Sequence, residues 1–344
     1  MKKNVTMKDI AKELNVSSVT VSKALNDKEG VGEELKQKIK DLAKEMGYRM
    51  NTMAKSMKEG LSYNVGIIIA EKFAGDVQSF YLMFYQKISK LLEENGYYGV
   101  LQILTQEDEA NLVLPRIYHE NRVDGFIVLG QLSKNYVKVL QDKEVPNVFL
   151  DFYYKDLSMD SIVTDNFYGA YELTNYLMAS GHSKIAFVGN IYATSSIQDR
   201  FLGYYKSLLE YKVKLNDDYI ISDRNESGKH IDLQLPKNMP TAFVCNCDQI
   251  AYKLINKLKD LAYKVPDDIS VVGFDDDVYA SISEPQITTI SVDVDQMVTT
   301  AVECILEKIK MDKDYGRVTI EGKIVYRDSV KSIENYIDKK HENI

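Results

Sequence analysis

The sequence lacks two features that would place the protein in or beyond a membrane. It contains no run of about 18 or more apolar residues, the length that a membrane-spanning helix requires. Its first residues, Met1 to Asn4, lead into amphipathic sequence and not into the apolar core of a secretion signal. We therefore expect a cytoplasmic protein with no membrane partner.

Cysteine and histidine are also scarce. The 344 residues include four histidines and three cysteines, Cys245, Cys247 and Cys304. An odd number of cysteines without partners at metal-ligand spacing predicts thiols in or near a core, and no metal or redox site. Neither a phosphate loop G-x-x-x-x-G-K-[ST] nor a nucleophile elbow G-x-S-x-G occurs, so we expect no cofactor and no enzymatic activity.

Charge is distributed unevenly along a chain that is long enough for two or three hydrophobic cores. The net charge of −8 argues against a protein that coats nucleic acid over its whole surface. Residues 1–60, however, hold 13 basic and 9 acidic side chains, while the rest of the chain holds 30 and 42. The first segment alone is predicted to approach phosphates favourably.

Three short amphipathic helices are predicted within this first segment. Apolar residues recur at helical spacing from Met7 to Leu14, from Val21 to Leu25 and from Leu35 to Met46. Thr6 and Ser17 are suitable N-caps for the first two helices. The three apolar faces are predicted to share one small interior.

The outer face of the second helix carries the main functional prediction. It consists of Ser18, Val19, Ser22, Lys23 and Asn26. Lys23 is the one large side chain among them, and it is a cation. Such a face fits the major groove of DNA, where hydroxyls and amides reach phosphates and base edges. A generic three-helix bundle with a solvated surface is the alternative.

A short segment from Asn51 to Lys58 is predicted to be a conditional hinge. It could form only two helical turns and has too little apolar surface to fold alone. Two such helices paired on DNA could insert an apolar side chain into the minor groove, with Met57 as the candidate wedge. A simple linker is the alternative.

From Asn64 onward, apolar strands alternate with amphipathic helices. Strands are predicted at 65–70, 99–104, 124–129, 185–188, 242–245 and 269–273, and helices near 82–96, 112–120, 169–180, 200–211 and 249–261. This alternation predicts parallel sheets covered on both faces, and its length favours two α/β lobes over one. A ligand would then bind between the lobes, outside the carboxyl ends of the strands.

Six residues near the predicted strand ends are candidates for ligand contact: Phe80, Tyr81, Asn166, Arg200, Cys247 and Asp275. Aromatic rings beside Arg and Asp suit a polyhydroxylated ligand, since rings stack on sugar C–H faces while charged groups bind hydroxyls. Each has a structural alternative: core aromatics for Phe80 and Tyr81, a helix cap for Asn166, a surface ion pair for Arg200. The run Asp275-Asp276-Asp277 favours a solvated acidic loop over a metal or acid-base site, because consecutive residues do not converge on one point.

Several segments carry a resemblance to a known family. The most specific is T-M-K-D-I-A-K-E-L-N-V-S-S-V-T-V-S-K-A-L-N at Thr6 to Asn26, followed by M-G-Y-R at 46–49. Further segments are D-N-F-Y-G-A at 165–170, G-H-S-K-I-A-F-V-G at 181–189, R-F-L-G-Y at 200–204 and V-P-D-D-I-S-V-V-G-F-D-D at 265–276. From Thr6 to about Arg327, the chain resembles the lactose-repressor and galactose-repressor family.

The resemblance implies an all-α helix-turn-helix head and an α/β two-lobed, periplasmic-binding-protein-like core with parallel sheets. The implied domains are a DNA-binding head at 1–50, a hinge helix and linker at 51–62, an effector-binding core at 63–330 and a tail at 331–344. Within the core, lobe one would take about 63–163 plus 292–320, and lobe two about 164–291 plus 321–330. A homodimer bound to a pseudo-palindromic double-stranded DNA operator is also implied.

The same resemblance assigns roles in DNA binding. Ser18 and Val19 match the family's principal base readers. Phosphate-contacting or capping positions are matched by Thr6, Ser17, Thr20, Ser22 and Asn26. Lys23 occupies a position usually held by arginine, so bidentate guanine recognition is unavailable there. In the hinge, Ala54 and Met57 match the alanine and the leucine wedge, and Asn51 and Lys55 are further candidate DNA contacts.

In the core, Arg200 and Asp275 match family positions that hydrogen-bond the effector, and Ser79 to Tyr81 matches the aromatic entrance of the first lobe. Cys247 stands where many members have asparagine, which removes an amide from the implied pocket. The loop after Ile191 and the stretch 223–235 are also individual to this sequence, so the resemblance does not name the ligand. The implied function is repression of carbohydrate-utilisation genes under the control of a sugar-like effector. The alternative is a purine- or other metabolite-responsive regulator whose ligand promotes DNA binding. A sugar-processing enzyme and a transport-linked binding protein are opposed by the missing motifs and the missing secretion signal.

Overall fold

The computed structural model describes residues 5–49, 56, 59–74, 80–143, 145–226, 228–311 and 313–333. The chain divides into two compact units, Met1–Leu61 and Ser62–Ile344. Among the described residues, no helix is both long enough and apolar enough to cross a membrane. The predicted hinge contacts Asn51, Ala54, Lys55 and Met57 lie outside the described residues.

Three helices enclose one apolar interior in the small unit. They are α1 (Met7–Glu13), α2 (Ser18–Leu25) and α3 (Glu33–Glu45). Each helix contributes two buried residues: Ile10, Ala11, Val21, Ala24, Ile39 and Ala43. The apolar faces predicted from the sequence are confirmed.

Both predicted N-caps are in place. Ser17 Oγ accepts a hydrogen bond from the Thr20 amide at 3.0 Å. The amide and the hydroxyl of Thr6 donate to the Asp9 carboxylate at 2.8 and 2.7 Å. These bonds satisfy polar groups at the starts of α1 and α2, and each such cap stabilises a helix by about 1 kcal/mol.

The strands of the large unit are β1 (Asn64–Ala70), β2 (Tyr98–Leu104), β3 (Gly125–Leu129), β4 (Asn147–Leu150), β5 (Ser161–Thr164), β6 (Ile185–Val188), β7 (Ile220–Ile221), β8 (Ala242–Cys245), β9 (Ser270–Val272), β10 (Thr289–Ser291), β11 (Arg317–Ile320) and β12 (Lys323–Val325). A six-stranded sheet has the order β11-β5-β4-β3-β1-β2, and a four-stranded sheet has the order β7-β6-β8-β9. Every pairing in these two sheets is parallel. The antiparallel ribbon β10-β12 completes the large unit, and the predicted parallel sheets are confirmed.

The helices of the large unit are α4 (Glu71–Ala74), α5 (Phe80–Glu94), α6 (Gln106–Ala110), α7 (Arg116–His119), α8 (Lys134–Gln141), α9 (Asn166–Ala179), α10 (Ser195–Glu210), α11 (Asp248–Asp260), α12 (Val278–Ile282) and α13 (Val294–Met311), with a short 3₁₀ turn at Asp217–Tyr219. On the six-stranded sheet, α5 and α13 cover one face and α8 the other. On the four-stranded sheet, α9 and α10 cover one face and α11 the other. Continuous apolar strands such as Ile67 to Ile69 are buried for this reason.

The described chain crosses between the two sheets three times. It leaves the six-stranded sheet after β5 to form α9, and it returns after β10 to form α13. It crosses last between β11 and the ribbon strand β12. Because each sheet draws on separated parts of the sequence, the crossing segments hold the two halves of the large unit together.

Among the helices predicted in the large unit, two begin at clearly different residues, and α4, α6, α8, α12 and α13 were not predicted. Periodicity predicts a helix from about Leu112, but α7 begins only at Arg116. Leu112 has a φ of +58°, and Pro115 lacks an amide hydrogen, so the chain does not enter a helix earlier. Helix α10 begins at Ser195, before its predicted start at Arg200, because Thr194 caps it by accepting from the Ile197 amide at 3.2 Å.

Gly203 sets how closely α9 and α10 approach each other. A Cβ atom at Gly203 would lie 2.0 Å from the carbonyl oxygen of Phe167 and 2.9 Å from the amide of Tyr171, both backbone atoms of α9. We predict that Gly203→Ala lowers the free energy of unfolding by about 3 kcal/mol, because one helix must move away. Urea denaturation of the full chain, followed by circular dichroism, measures this.

Leu202→Ala is the matched control for Gly203→Ala. The Leu202 side chain is on the same helix and is 44% exposed, so its truncation is expected to cost less than about 1 kcal/mol. Equal effects of the two substitutions would contradict the close approach as the cause.

Candidate functional site

The outer face of α2 presents the predicted base-reading residues to solvent. Ser18 and Lys23 are exposed, and Val19 leaves 64% of its surface in solvent although it is apolar. An exposed apolar side chain beside a hydroxyl suits contact with a thymine methyl group and a neighbouring base edge. The small unit therefore has a face of the composition that the major groove accepts.

The other described candidates for DNA contact flank this face. Thr6 and Ser17 are exposed at the starts of α1 and α2. Thr20 and Ser22 are half-buried, and the Thr20 hydroxyl lies 2.8 Å from the Ser17 hydroxyl. Asn26 is exposed and donates to the Ser22 carbonyl oxygen at 2.7 Å, which orients its side chain. Polar side chains of this kind bind phosphate oxygens and so position a reading helix.

A cavity of about 590 Å³ lies in the large unit. Its walls follow the carboxyl ends of four strands: Lys72 comes after β1, Asp151 after β4, Cys247 after β8 and Asp275 after β9. The lining residues are Lys72, Phe73, Phe80, Tyr81, Asp151, Thr194, Ser196, Ile197, Arg200, Arg224, Gly228, Lys229, His230, Asn246, Cys247, Gln249, Asp275, Asp277 and Tyr279. Both sheets contribute to it, as predicted for a ligand site between two α/β lobes.

Arg200 is the central group of this cavity. Its side chain is only 7% exposed, and its guanidinium lies 3.8 Å from the ring centroid of Phe274. It donates to Asn166 Oδ1 at 2.7 Å, to the Asn246 carbonyl oxygen, and to Asp275 Oδ1 at 3.1 Å. The fork geometry of arginine allows all three bonds at once.

The three consecutive aspartates have three separate partners. Asp275 pairs with Arg200, Asp276 accepts from Arg327 at 2.6 Å, and Asp277 caps α12 by accepting from the Tyr279 amide at 2.8 Å. No group of carboxylates, histidines or cysteines among the described residues could hold a metal ion. The run is thus neither a metal site nor the solvated acidic loop that was expected, because Asp275 is drawn into the cavity wall.

Burial perturbs two of these carboxyl groups. It raises the pKa of Asp275 to about 7, although Arg200 opposes the shift, and the neighbouring charges of Asp277 and Asp151 raise it further. Burial likewise raises the pKa of Asp277 to about 6, against the backbone hydrogen bonds that it accepts. These side chains therefore change protonation near neutral pH.

Asp151 and Tyr81 form the facing wall. The Tyr81 hydroxyl donates to Asp151 Oδ2 at 2.7 Å. Burial raises the pKa of Asp151 despite Arg200 and this hydrogen bond, and it raises the pKa of Tyr81 as well. Phe73 and Phe80 pack against the Tyr81 ring, with centroids 5.3 and 5.5 Å away. The wall thus combines apolar rings with a hydrogen-bonded polar pair.

A second ion pair supports the wall formed by the four-stranded sheet. Asp223 is fully buried and accepts two bonds from Arg224, at 2.9 and 2.7 Å, and one from the Asn190 amide at 2.8 Å. Burial would raise the pKa of Asp223, but Arg224 and the amide donors outweigh it and lower the pKa overall. Arg224 also bonds Asn246 Oδ1 at 3.3 Å, so Asn246 lies between Arg224 and Arg200.

Five of the six predicted ligand contacts line the cavity, and Asn166 does not. Asn166 is buried behind Arg200, which it holds through a hydrogen bond. Cys247 lines the wall as a half-buried thiol whose pKa burial raises to about 12. Cys245 and Cys304 are buried core thiols, as expected.

Sequence reasoning missed Asp151, Asn246 and Arg224. Asp151 and Asn246 directly follow β4 and β8, so the apolar run Asn147 to Leu150 was a usable signal for Asp151. Arg224 lies in an irregular stretch that offers no periodicity. Its role depends on the complete burial of the preceding residue, Asp223, which the sequence does not show.

Helix α10 also contacts residues that follow strands of the six-stranded sheet. The Ser195 amide donates to Gln131 Oε1 at 2.8 Å, and the Tyr153 hydroxyl donates to the Asp199 carboxylate at 3.1 Å. These bonds cross between the two sheets. One helix therefore carries Arg200 on the cavity wall and makes contacts between the two halves of the large unit.

Comparison with known families assigns both units. A profile described as "Bacterial regulatory proteins, lacI family" matches residues 6–51. A second, described as "Periplasmic binding protein-like domain", matches residues 174–330. The solved Lac repressor dimer bound to operator and the anti-inducer ONPF is similar in fold, with a TM-score of 0.74 and 21% identity over 96% of this chain and 100% of that one. A CelR-cellobiose complex has a TM-score of 0.68 and 20% identity over 95% of this chain and 100% of that one.

Curated relatives extend the similarity over nearly the whole chain. The HTH-type transcriptional regulator RegA of Clostridium saccharobutylicum is 33% identical over 94% of this chain and 98% of its own length. The probable HTH-type transcriptional repressor ExuR of Bacillus subtilis is 30% identical over 96% of this chain and 99% of its own. Both are named as regulators, which confirms the expectation of a regulator and not an enzyme. The chain belongs to the LacI family of bacterial regulatory proteins and is a transcriptional regulator.

Proposed function

We propose that this regulator represses carbohydrate-utilisation genes and is controlled by a sugar-like effector bound in the 590 Å³ cavity. The observation that carries the proposal is Arg200, a buried cation on the wall of a cavity that also presents aromatic rings. A CelR-cellobiose complex among the solved structures of similar fold supports a sugar as the ligand class.

The small unit supplies the DNA contact in this proposal. Ser18 and Val19 read base edges, and Lys23 with the hydroxyls and the amide around it holds the phosphate backbone. We propose that a homodimer binds a pseudo-palindromic operator, since paired helix-turn-helix units bind two symmetric half-sites, and that it does so in the cytoplasm. The Lac repressor of similar fold is a dimer bound to operator.

Helix α10 is the proposed route from effector to DNA. An effector that binds Arg200 and Asp275 can move this helix, and with it the Gln131 and Tyr153 contacts between the two sheets. Such a shift would alter how two copies of the chain place their DNA-binding units. A coupling free energy of about 1–3 kcal/mol corresponds to a change in operator affinity of roughly 5- to 150-fold.

A regulator whose ligand promotes DNA binding is the second candidate. Several relatives at 27% identity over 95% of the chain are named as PurR repressors of Vibrio species. The direction of the ligand effect on operator affinity separates the two candidates.

We predict that Ser18→Ala reduces the discrimination between operator and random DNA by about 1–3 kcal/mol, because it removes a base contact. The operator is first selected from genomic fragments, and both affinities are then measured at one salt concentration by fluorescence anisotropy. Ser22→Ala is the matched control, since it deletes a hydroxyl at a proposed phosphate contact and is expected to weaken both duplexes by the same factor. Equal losses for Ser18→Ala on both duplexes would contradict the base-reading role.

Titration of the operator complex with sugars, sugar acids, sugar phosphates and purines tests the effector. At least one sugar-type ligand is expected to release operator DNA by at least about fivefold. Arg200→Lys is expected to weaken that ligand at least about tenfold, because an ammonium cannot reproduce three bonds in fixed directions. Lys257→Met, which disrupts an ion pair with Asp232 outside the cavity lining, serves as the control. Operator affinity that no ligand changes would contradict the effector model, and release by purines alone would contradict a sugar effector.

The raised pKa of Asp275 predicts a pH dependence of stability. Its pKa is about 7 in the folded chain, against an ordinary value of 3.8 that we take for the unfolded chain. Protonation of Asp275 therefore stabilises the fold fully below pH 3.8, and this contribution is lost as the pH rises through 7. We predict that Asp275→Asn flattens the fall in unfolding free energy between pH 5 and 7 by up to about 1 kcal/mol per pH unit. Urea titrations at each pH measure it.

Asp267→Asn is the control for the pH profile. Asp267 is exposed and its pKa is lowered by a hydrogen bond from Lys331, so this substitution is not expected to flatten the same interval. Parallel profiles for wild type and Asp275→Asn would show that Asp275 does not bind the proton.

A further inference from the structure

Two described segments on the four-stranded-sheet side, 223–226 and 228–231, pair as a hairpin that lines the cavity. Residues 224 and 230 form an antiparallel bridge, the Ile231 amide donates to the Asp223 carbonyl oxygen at 3.0 Å, and the Asn225 amide donates to the Lys229 carbonyl oxygen at 3.0 Å. The buried Asp223 anchors the base of this hairpin. At its tip, a Cβ at Gly228 would lie 3.7 Å from Lys72 Cδ, so the hairpin meets the helix that follows β1.

The hairpin and the facing helix each bring a lysine to this end of the cavity. Lys72 and Lys229 both line the wall and both are exposed. Neither forms an ion pair with a carboxylate of the described residues, whereas Arg200 is paired with Asp275 and Arg224 with Asp223. The two lysines are thus cations of the cavity wall that no carboxylate of the described residues pairs with.

Groups of both signs lie near these lysines. Lys253 donates to Nδ1 of His230 at 2.7 Å, which places a further ammonium behind the hairpin. Glu71 and Glu226 line an adjacent cavity of about 400 Å³ together with Lys72, and no ion pair joins them to Lys72 in the described part of the chain. Lys72 Nζ instead lies 5.1 Å from the centroid of the Phe73 ring.

We propose that Lys72 and Lys229 form a subsite for the anionic group of the effector, so that the preferred ligand is a sugar-like molecule carrying a carboxylate or a phosphate. The inference rests on the proposed function and names the class of its ligand. The hydroxyls of the ligand bind Arg200, Asp275 and Asp151, and its anion bridges two lysines that belong to opposite halves of the large unit. An anion bound between the two lysines would neutralise charge that the carboxylates of the described residues leave unpaired.

The test is calorimetric titration of the full chain at constant ionic strength with matched sugars. For each of the gluco, galacto and manno configurations, the probes are the neutral hexose, its uronic acid and its 6-phosphate. An acid or a phosphate is expected to bind at least about tenfold more tightly than the neutral hexose of the same configuration. The two anionic arms separate a carboxylate from a phosphate as the recognised group.

Lysine variants locate the effect. Lys72→Met and Lys229→Met are each expected to weaken the anionic ligand at least about tenfold while leaving the neutral hexose unchanged. Lys257→Met, outside the cavity lining, is expected to change neither. Anion binding that both lysine variants retain would overturn the subsite.

Two further results would also overturn the inference. The first is a neutral hexose that binds as tightly as its acid and its phosphate; if that hexose also releases the operator, the proposed function stands without the subsite. The second result applies if no sugar binds. Inorganic phosphate at about 50 mM would then raise the melting temperature of the wild type no more than that of the double variant Lys72→Met/Lys229→Met. Anion binding without any change in operator affinity would instead contradict the proposed function and leave the subsite intact.

Discussion

One buried guanidinium determines the shape of the candidate cleft. A cation that is removed from water is costly unless it is paired and fully hydrogen-bonded. Arg200 meets this condition only when Asn166, the Asn246 carbonyl oxygen and Asp275 converge on it and Phe274 packs against its face. These partners come from α9 and from the segments after β8 and β9, so satisfying one charge fixes the relative positions of three elements.

The same helix connects this charge to the contacts between the sheets. Ser195, Asp199 and Arg200 lie within the first two turns of α10, a span of about 8 Å along its axis. Gly203 brings the next turn within backbone contact distance of α9, so α10 is supported along its length and moves as a unit. In the proposed mechanism, a ligand that binds Arg200 therefore acts on the Gln131 and Tyr153 hydrogen bonds through one helix.

The sequence predicted the helices and strands best where local periodicity and packing agree. The faces of α1 to α3 and the strands β6 and β8 follow directly from runs such as Ile185 to Val188. Prediction failed near Leu112, where a left-handed residue and Pro115 override apolar spacing. In the cleft, strand ends and the family resemblance indicated Arg200 and Asp275, but no local pattern shows that Arg224 must neutralise Asp223 or that Asn166 supports Arg200 from behind. Those relations depend on which side chains the packing of α9, α10 and the segment after β7 buries together, and local periodicity does not encode that.

The cleft also carries strain and unfavourable charge that a ligand can relieve. Asp151 and Asp275 have φ angles of +67° and +105°, backbone conformations that cost roughly 1–3 kcal/mol each unless other contacts enforce them. Burial raises the pKa of both side chains, so their ionised forms lack the solvation that water would supply. Hydroxyl groups of a ligand can donate to these carboxylates and replace that solvation. A ligand can change an equilibrium only through a difference in its interactions with two states, and in the proposed function hydroxyl groups that donate to these carboxylates would supply that difference.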